Sequence, residues 1–182
     1  KQNFFENFHQ YINPSSLNDY RMKIYSKLNS NLWFRKNYYE LGRRELDILC
    51  GNELVMQRKV NLSIQLPKDD SSILPIHSDV WSGCSPYEVV LWIPLVNCQK
   101  TNSMYILSQK DNKDFYQNMK LLNSVDALEA KASRKKKSLN IKFGQGLIFL
   151  HSILHGNTVN IEKTTRWSFN CRFKSVFSPY DD

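Results

Sequence analysis

The sequence predicts an α+β fold that is mainly β, with a sandwich or barrel core of short strands and helices from residues 1–54 packed outside it. Two observations carry this. Apolar residues recur at helical spacing up to Gly51; from Val55 the period switches to two, and six further short apolar runs follow. Helices first and then many short strands is the order of an α+β chain, not of alternating βαβ units.

In the stretch "SSLNDYRMKIYSKLN", serines stand ready to cap a helix whose apolar side is Leu17, Tyr20, Ile24 and Leu28. "LWFRKNYYELGRRELDILCG" continues the pattern, with Leu41, Leu46 and Leu49 on one side and a stop at Gly51. "VMQRKVNLSIQLP" then alternates Val60, Leu62, Ile64 and Leu66 against Lys59, Asn61, Ser63 and Gln65, as a half-buried strand does. The remaining strand candidates are "ILPIHSDV", "YEVVLWIPLV", "SMYIL", "LNIKF", "GLIFLHS" and "TRWSFNCRFKS". Between them, residues 110–138 read as a polar, partly helical insert ending in the basic run "KASRKKKS", expected to be a solvated loop. With 182 residues, no repeats and no Pro/Gly-rich linker, a single domain is expected over 1–182, with its β core at 55–178.

Composition narrows the function classes. No 18-residue apolar run is present, so no membrane segment is expected. Cys50, Cys84, Cys98 and Cys171 have no CxxC pairing and read as isolated reduced thiols, in keeping with a cytoplasmic protein. The net charge of +8 comes largely from the basic run, and basic residues are not interleaved with aromatics; no nucleic-acid partner is expected, whereas an anionic small molecule would be welcome.

The chemistry concentrates in "IHSDVWSG". His77 and Asp79 project to one side if this is a strand. A third ligand would come from "FLHSILHGN", where His151 and His155 both qualify. Two histidines and one carboxylate with open positions form the facial triad of non-haem Fe(II) oxygenases. Such enzymes commonly bind 2-oxoglutarate, whose far carboxylate needs a cation, and "TRWSFNCRF" offers Arg166 and Arg172 on one strand face.

On "HSDVWSGCSPYEVVLWIPL", "SMYIL", "LHGNTVN", "TRWSFNCRF" and "NLSIQLP", the chain resembles the phytanoyl-CoA dioxygenase-like Fe(II)/2-oxoglutarate oxygenases. It is most similar there to short bacterial members encoded beside surface-carbohydrate genes. The resemblance implies a double-stranded β-helix (jelly-roll, cupin-like) core. It implies Fe(II) on His77, Asp79 and His155, because Arg166 follows His155 by the family's spacing of eleven residues. It also implies 2-oxoglutarate on Arg166, with Ser168, Asn61 and Gln65 as helpers and O2 as co-substrate. Trp81, Arg172 and His151 are substrate-side candidates. Packing is the expected role of Glu88 and Trp92, and a surface or packing role that of His9. The implied reaction is hydroxylation of a sugar, nucleotide-sugar or glycan precursor; the presence of Asp79 argues against halogenation. A cupin-like metal isomerase or direct dioxygenase would not need Arg166, and a non-enzymatic binding barrel would not need the triad.

Overall fold

The computed structural model describes residues 2–121 and 124–179. Helices come first: α1 (Gln2–Glu6), α2 (Leu17–Asn29), α3 (Leu32–Glu40) and α4 (Arg43–Cys50). The expected serine caps of α2 are not used. Asn13 accepts from the backbone of Ser15 and starts a short 3-10 turn that leads into the helix, while Ser16 makes no capping bond. Residues 32–51 do not form one helix, and their apolar side is not Leu41, Leu46 and Leu49. The helix breaks at Leu41 and Gly42, where a Cβ on Gly42 would stand 2.8 Å from Leu91 Cδ2. The two halves therefore have separate phases. Leu46 is fully buried, whereas Leu41 and Leu49 are 70% and 59% exposed. At about 1.5–3 kcal/mol for a buried leucine, Leu46 holds α4 to the sheet and the other two contribute little.

The strands are β1 (Leu54–Met56), β2 (Asn61–Gln65), β3 (Val89–Pro94), β4 (Met104–Ile106), β5 (Lys137–Ser138), β6 (Leu147–Leu150), β7 (His155–Asn157) and β8 (Arg166–Ser175). All pairings are antiparallel. β8 is the spine of a five-stranded sheet: β1 and β2 pair along one edge, β3 along the other, and β6 lies beyond β3. A three-stranded sheet of order β5-β4-β7 faces it. Alternation on β3 serves both sides. Val89 and Leu91 pack against Phe34, Tyr38 and Leu46 of the helices, while Val90 and Trp92 pack with Met104 and Phe149 between the sheets. A strand buried on both faces reads as a continuous apolar run, as "VVLWIP" does.

Two strand candidates form only isolated bridges: His77 with His155 in "ILPIHSDV", and Ile141 with Cys98 in "LNIKF". The insert contains α5 (Gln109–Gln117) and α6 (Val125–Ser133), packed through Phe115, Leu128 and Ala132 onto Ile76 and Leu154. The basic run is not a free loop. Lys135 pairs with Asp111 at 3.0 Å and with Asp114 at 3.2 Å, and Lys136 with Glu129 at 2.6 Å. Burial alone would raise the Glu129 carboxyl; Lys136 and the backbone of Ile76 overrule it and hold it below its ordinary value. Its Oε1 accepts from Ile76 N at 2.6 Å, so the lysines brace the segment that carries His77.

Candidate metal and co-substrate site

The segment around His77 is a loop held in place by hydrogen bonds from three sides. His77 and His155 exchange backbone bonds of 3.0 and 2.9 Å. Asp79 N donates to the carbonyl of His151 at 3.2 Å, and Ser78 Oγ donates to the same oxygen at 2.8 Å. From α5, the Tyr116 hydroxyl contacts Ser78 Oγ at 2.8 Å. His77 and Asp79 therefore converge without a strand.

Ligand atoms of His77, Asp79 and His155 lie within 4.8 Å of one another, close enough to share one ion. Nδ1 of His77 is 2.8 Å from the Pro75 carbonyl, and Nδ1 of His155 is 2.8 Å from that of Ile153. A carbonyl only accepts, so each ring carries a proton on Nδ1, which leaves Nε2 as the nitrogen that could ligate a metal. Burial, with His77 alongside, lowers the pKa of His155 and favours the neutral, ligating form. Oδ2 of Asp79 is 4.0 Å from His155 Nε2, while Oδ1 accepts from Arg172 at 3.1 Å.

These groups edge a cavity of about 380 Å³ between the two sheets. Arg166, Ser168, Asn170 and Arg172, at alternate positions of β8, all line it, as do Asn61 and Ser63 of β2. Arg166 is 4% exposed. Its Nη2 makes one long bond of 3.4 Å to Ser63 Oγ, and its Nε and Nη1 have no partner. Among the described residues no carboxylate pairs with it. Burial pulls its pKa down to about 10, so it remains a cation at neutral pH. The buried Ser168 hydroxyl beside it is also unpartnered. A guanidinium kept dry with two free donors costs the fold several kcal/mol unless an anion arrives.

The structure thus gathers His77, Asp79, His155, Arg166, Ser168, Asn61 and Arg172 around one space. Three further candidates lie elsewhere. Gln65 does not line the cavity; its Nε2 donates to the Thr158 carbonyl at 2.6 Å. Trp81 is 40% exposed, and Ser82 lines the wall in its place. His151 is fully buried behind Asp79, its Nε2 3.7 Å from Oδ2, with no face on the cavity. Trp92, expected only to pack, also forms part of the wall. Asn170 is new; it receives a bond from Asn61 Nδ2 at 3.0 Å and was readable as the missing member of the 166-to-172 series.

Gly156, next to His155, has no room for a side chain: a Cβ would stand 2.5 Å from Tyr105 Oη and 2.8 Å from the Leu74 carbonyl. Gly156→Ala is expected to cost about 1–3 kcal/mol, read as a lower Tm, and to weaken Mn(II) binding because His155 shifts with it. An unchanged Tm would mean that β7 yields freely.

No protein-family profile and no curated sequence matches the chain. Solved structures do. ThoJ, a non-heme monooxygenase seen as a nickel complex, aligns at 19% identity over 75% of this chain and 51% of its own, with a TM-score of 0.55. HygX from Streptomyces hygroscopicus, seen with iron bound, aligns at 10% identity over 93% and 81%, with a TM-score of 0.61. The chain has the fold of ThoJ and HygX. SnoN, a non-heme alpha ketoglutarate dependent epimerase from nogalamycin biosynthesis, gives 15% identity over 71% and 50%, with a TM-score of 0.50. The chain spans about half the length of ThoJ and SnoN. These likenesses reach the fold and do not single out the phytanoyl-CoA dioxygenase branch. Among the described residues no helix is long and apolar enough to cross a membrane.

Proposed function

We infer that the chain is a non-haem Fe(II)/2-oxoglutarate-dependent oxygenase, a hydroxylase of a carbohydrate-derived small molecule. The observation that carries this is Arg166, a buried cation with two idle N–H donors in the cavity that His77, Asp79 and His155 edge. A metal site alone does not call for such a group; a dicarboxylate spanning from metal to arginine does. The cupin-like alternative without 2-oxoglutarate leaves Arg166 unexplained. HygX with iron and SnoN with alpha ketoglutarate support the reading, and the two facing sheets fit a double-stranded β-helix over a single unit, residues 1–182.

His77, Asp79 and His155 would hold the iron, and Arg166 with Ser168 and Ser63 the far carboxylate. When bound, iron and 2-oxoglutarate would supply an oxidant from O2, the co-substrate losing CO2 and taking one oxygen atom of O2 to become succinate. The chain's own part is positional. The Pro75 and Ile153 carbonyls fix both imidazoles, and Arg172 holds the outer oxygen of Asp79. Val90, Trp92, Met104 and Phe149 keep that wall of the cavity apolar. A second hollow of about 420 Å³ shares Asn61, Ser63, Leu74 and Asn170 with the first and adds Ser71, Ser72, Tyr25 and Arg21. Amides and hydroxyls in that number suit a polyol, and Arg21 suits an anionic substituent on it, which favours a sugar or nucleotide-sugar. The free, mostly buried cysteines fit a reducing compartment.

Anaerobic Fe(II) and 2-oxoglutarate are expected to give the weak visible charge-transfer band of the chelated complex. Iron binding without the band would hand the site to the cupin-like alternative.

A further inference from the structure

Behind Asp79, on the side away from the main cavity, a second group of metal-ligating side chains converges. The Sγ of Cys84, a carboxylate oxygen of Glu88 and an imidazole nitrogen of His151 lie within 4.8 Å of one another. The β3–β6 register brings two of them together. Val89 pairs with Leu150, and one step further the His151 N–H donates to the Glu88 carbonyl at 3.1 Å. The turn after Gly83, closed by Glu88 N to Ser85 O at 3.2 Å, delivers Cys84.

A second observation is independent of this clustering. His151 is 0% exposed, and neither ring nitrogen makes a well-formed hydrogen bond. Nδ1 lies 3.2 Å from Glu88 Oε2 without the alignment of a bond, and Nε2 lies 3.7 Å from Asp79 Oδ2. A buried imidazole offered only poorly aligned carboxylates and the Ser85 backbone is costly to the fold.

We propose that Cys84, Glu88 and His151 form a second metal site, suited to Zn²⁺, that backs the carboxylate of Asp79. One thiolate, one imidazole and one carboxylate are a zinc donor set with the fourth position open. Cys84 and Glu88 also line a separate hollow of about 290 Å³, which gives an ion its way in. Arg172 and Lys174 line the same hollow. Thiolate and carboxylate neutralise the ion itself, and the two cations direct an anion or hydroxide to the fourth position. With Nδ1 on the metal, the Nε2–H of His151 faces Asp79 Oδ2, the arrangement in which a carboxylate orients a ligating histidine. One imidazole would then link two metal centres. The second site stands whether or not His77, Asp79 and His155 hold iron.

The test is a Co(II) titration of the full chain, followed by the near-ultraviolet thiolate-to-cobalt charge-transfer band. Cys50, Cys98 and Cys171 are buried, which leaves Cys84 as the thiol such a band reports. Wild type is expected to show the band and Cys84→Ser to lose it. His155→Ala is expected to keep it, which separates this site from the iron site. Glu88→Gln, which keeps the shape, should weaken cobalt binding at the band by at least about tenfold. Cobalt bound without a thiolate band in wild type, or a band surviving in Cys84→Ser, overturns the proposal and leaves Glu88 and His151 as a metal-free support for Asp79.

Discussion

Replacing Arg166 by Met is expected to make the ligand-free protein more stable and to weaken severely the 2-oxoglutarate binding proposed for it. The two effects have one cause. A guanidinium whose pKa falls from 12.5 to about 10 on folding loses about 3 kcal/mol at every pH where it stays charged in the native state. The sign follows from linkage: the native state holds the proton less tightly than the unfolded chain, so the charge opposes folding below pH 10 and the penalty lifts only above it. An apolar side chain of similar length removes that penalty, and Tm should rise by about 2–4 °C per kcal/mol recovered. Losing the partner of a buried carboxylate costs about 2–5 kcal/mol, or roughly thirtyfold to a few thousandfold in affinity. Thermal unfolding without co-substrate, and calorimetric titration of 2-oxoglutarate onto Mn(II)-loaded protein, read the two effects separately. A variant that binds 2-oxoglutarate as wild type does would sink the assignment of Arg166.

Asp79→Ala is expected to have the largest effect on iron. It removes one ligand of three and strands two neighbours, because Arg172 loses its 3.1 Å partner and His151 the carboxylate at 3.7 Å. Affinity for Fe(II) or Mn(II) should fall by more than the roughly 10–100-fold that follows loss of a supporting contact. The stability loss should be small beside it, since the Asp79–Arg172 pair is partly exposed and worth at most about 1 kcal/mol. Manganese resonance during metal titration gives the first number and chemical denaturation the second. Metal binding within twofold of wild type would show that the two histidines act without the carboxylate.

What the sequence disclosed follows from how local each signal is. The alternation of "NLSIQLP" and the even spacing of Arg166, Ser168 and Arg172 survive into the structure because strand geometry fixes side-chain direction within one element. Asn61 and Ser63 face the cavity for the same reason. Helical phase across residues 32–51 failed because the helix breaks where Gly42 meets Leu91, a contact between residues far apart in sequence. His77 and Asp79 converge as the spacing implied, though through a loop pinned by His151 and His155 rather than a strand. The basic run read as solvated because its partners, Asp111, Asp114 and Glu129, come from helices whose packing the sequence does not reveal. Cys84, Glu88 and His151 were each noticed singly. Only the pairing of β3 with β6 joins them, and register is a tertiary property.

β8 carries both Arg166, the proposed anchor of the co-substrate, and Arg172, which holds Asp79, and it is paired on both edges. A residue gained or lost inside it would turn its whole inner face outward. That strand is therefore closed to evolutionary tinkering by insertion or deletion, and novelty has to enter elsewhere. The outer hollow is the permissive place: Arg21, Tyr25 and residues 71–73 shape it without touching a proposed iron ligand or Arg166. Descendants of this chain could change what they admit by editing one helix and one loop, while the residues of the proposed iron and co-substrate site are inherited intact.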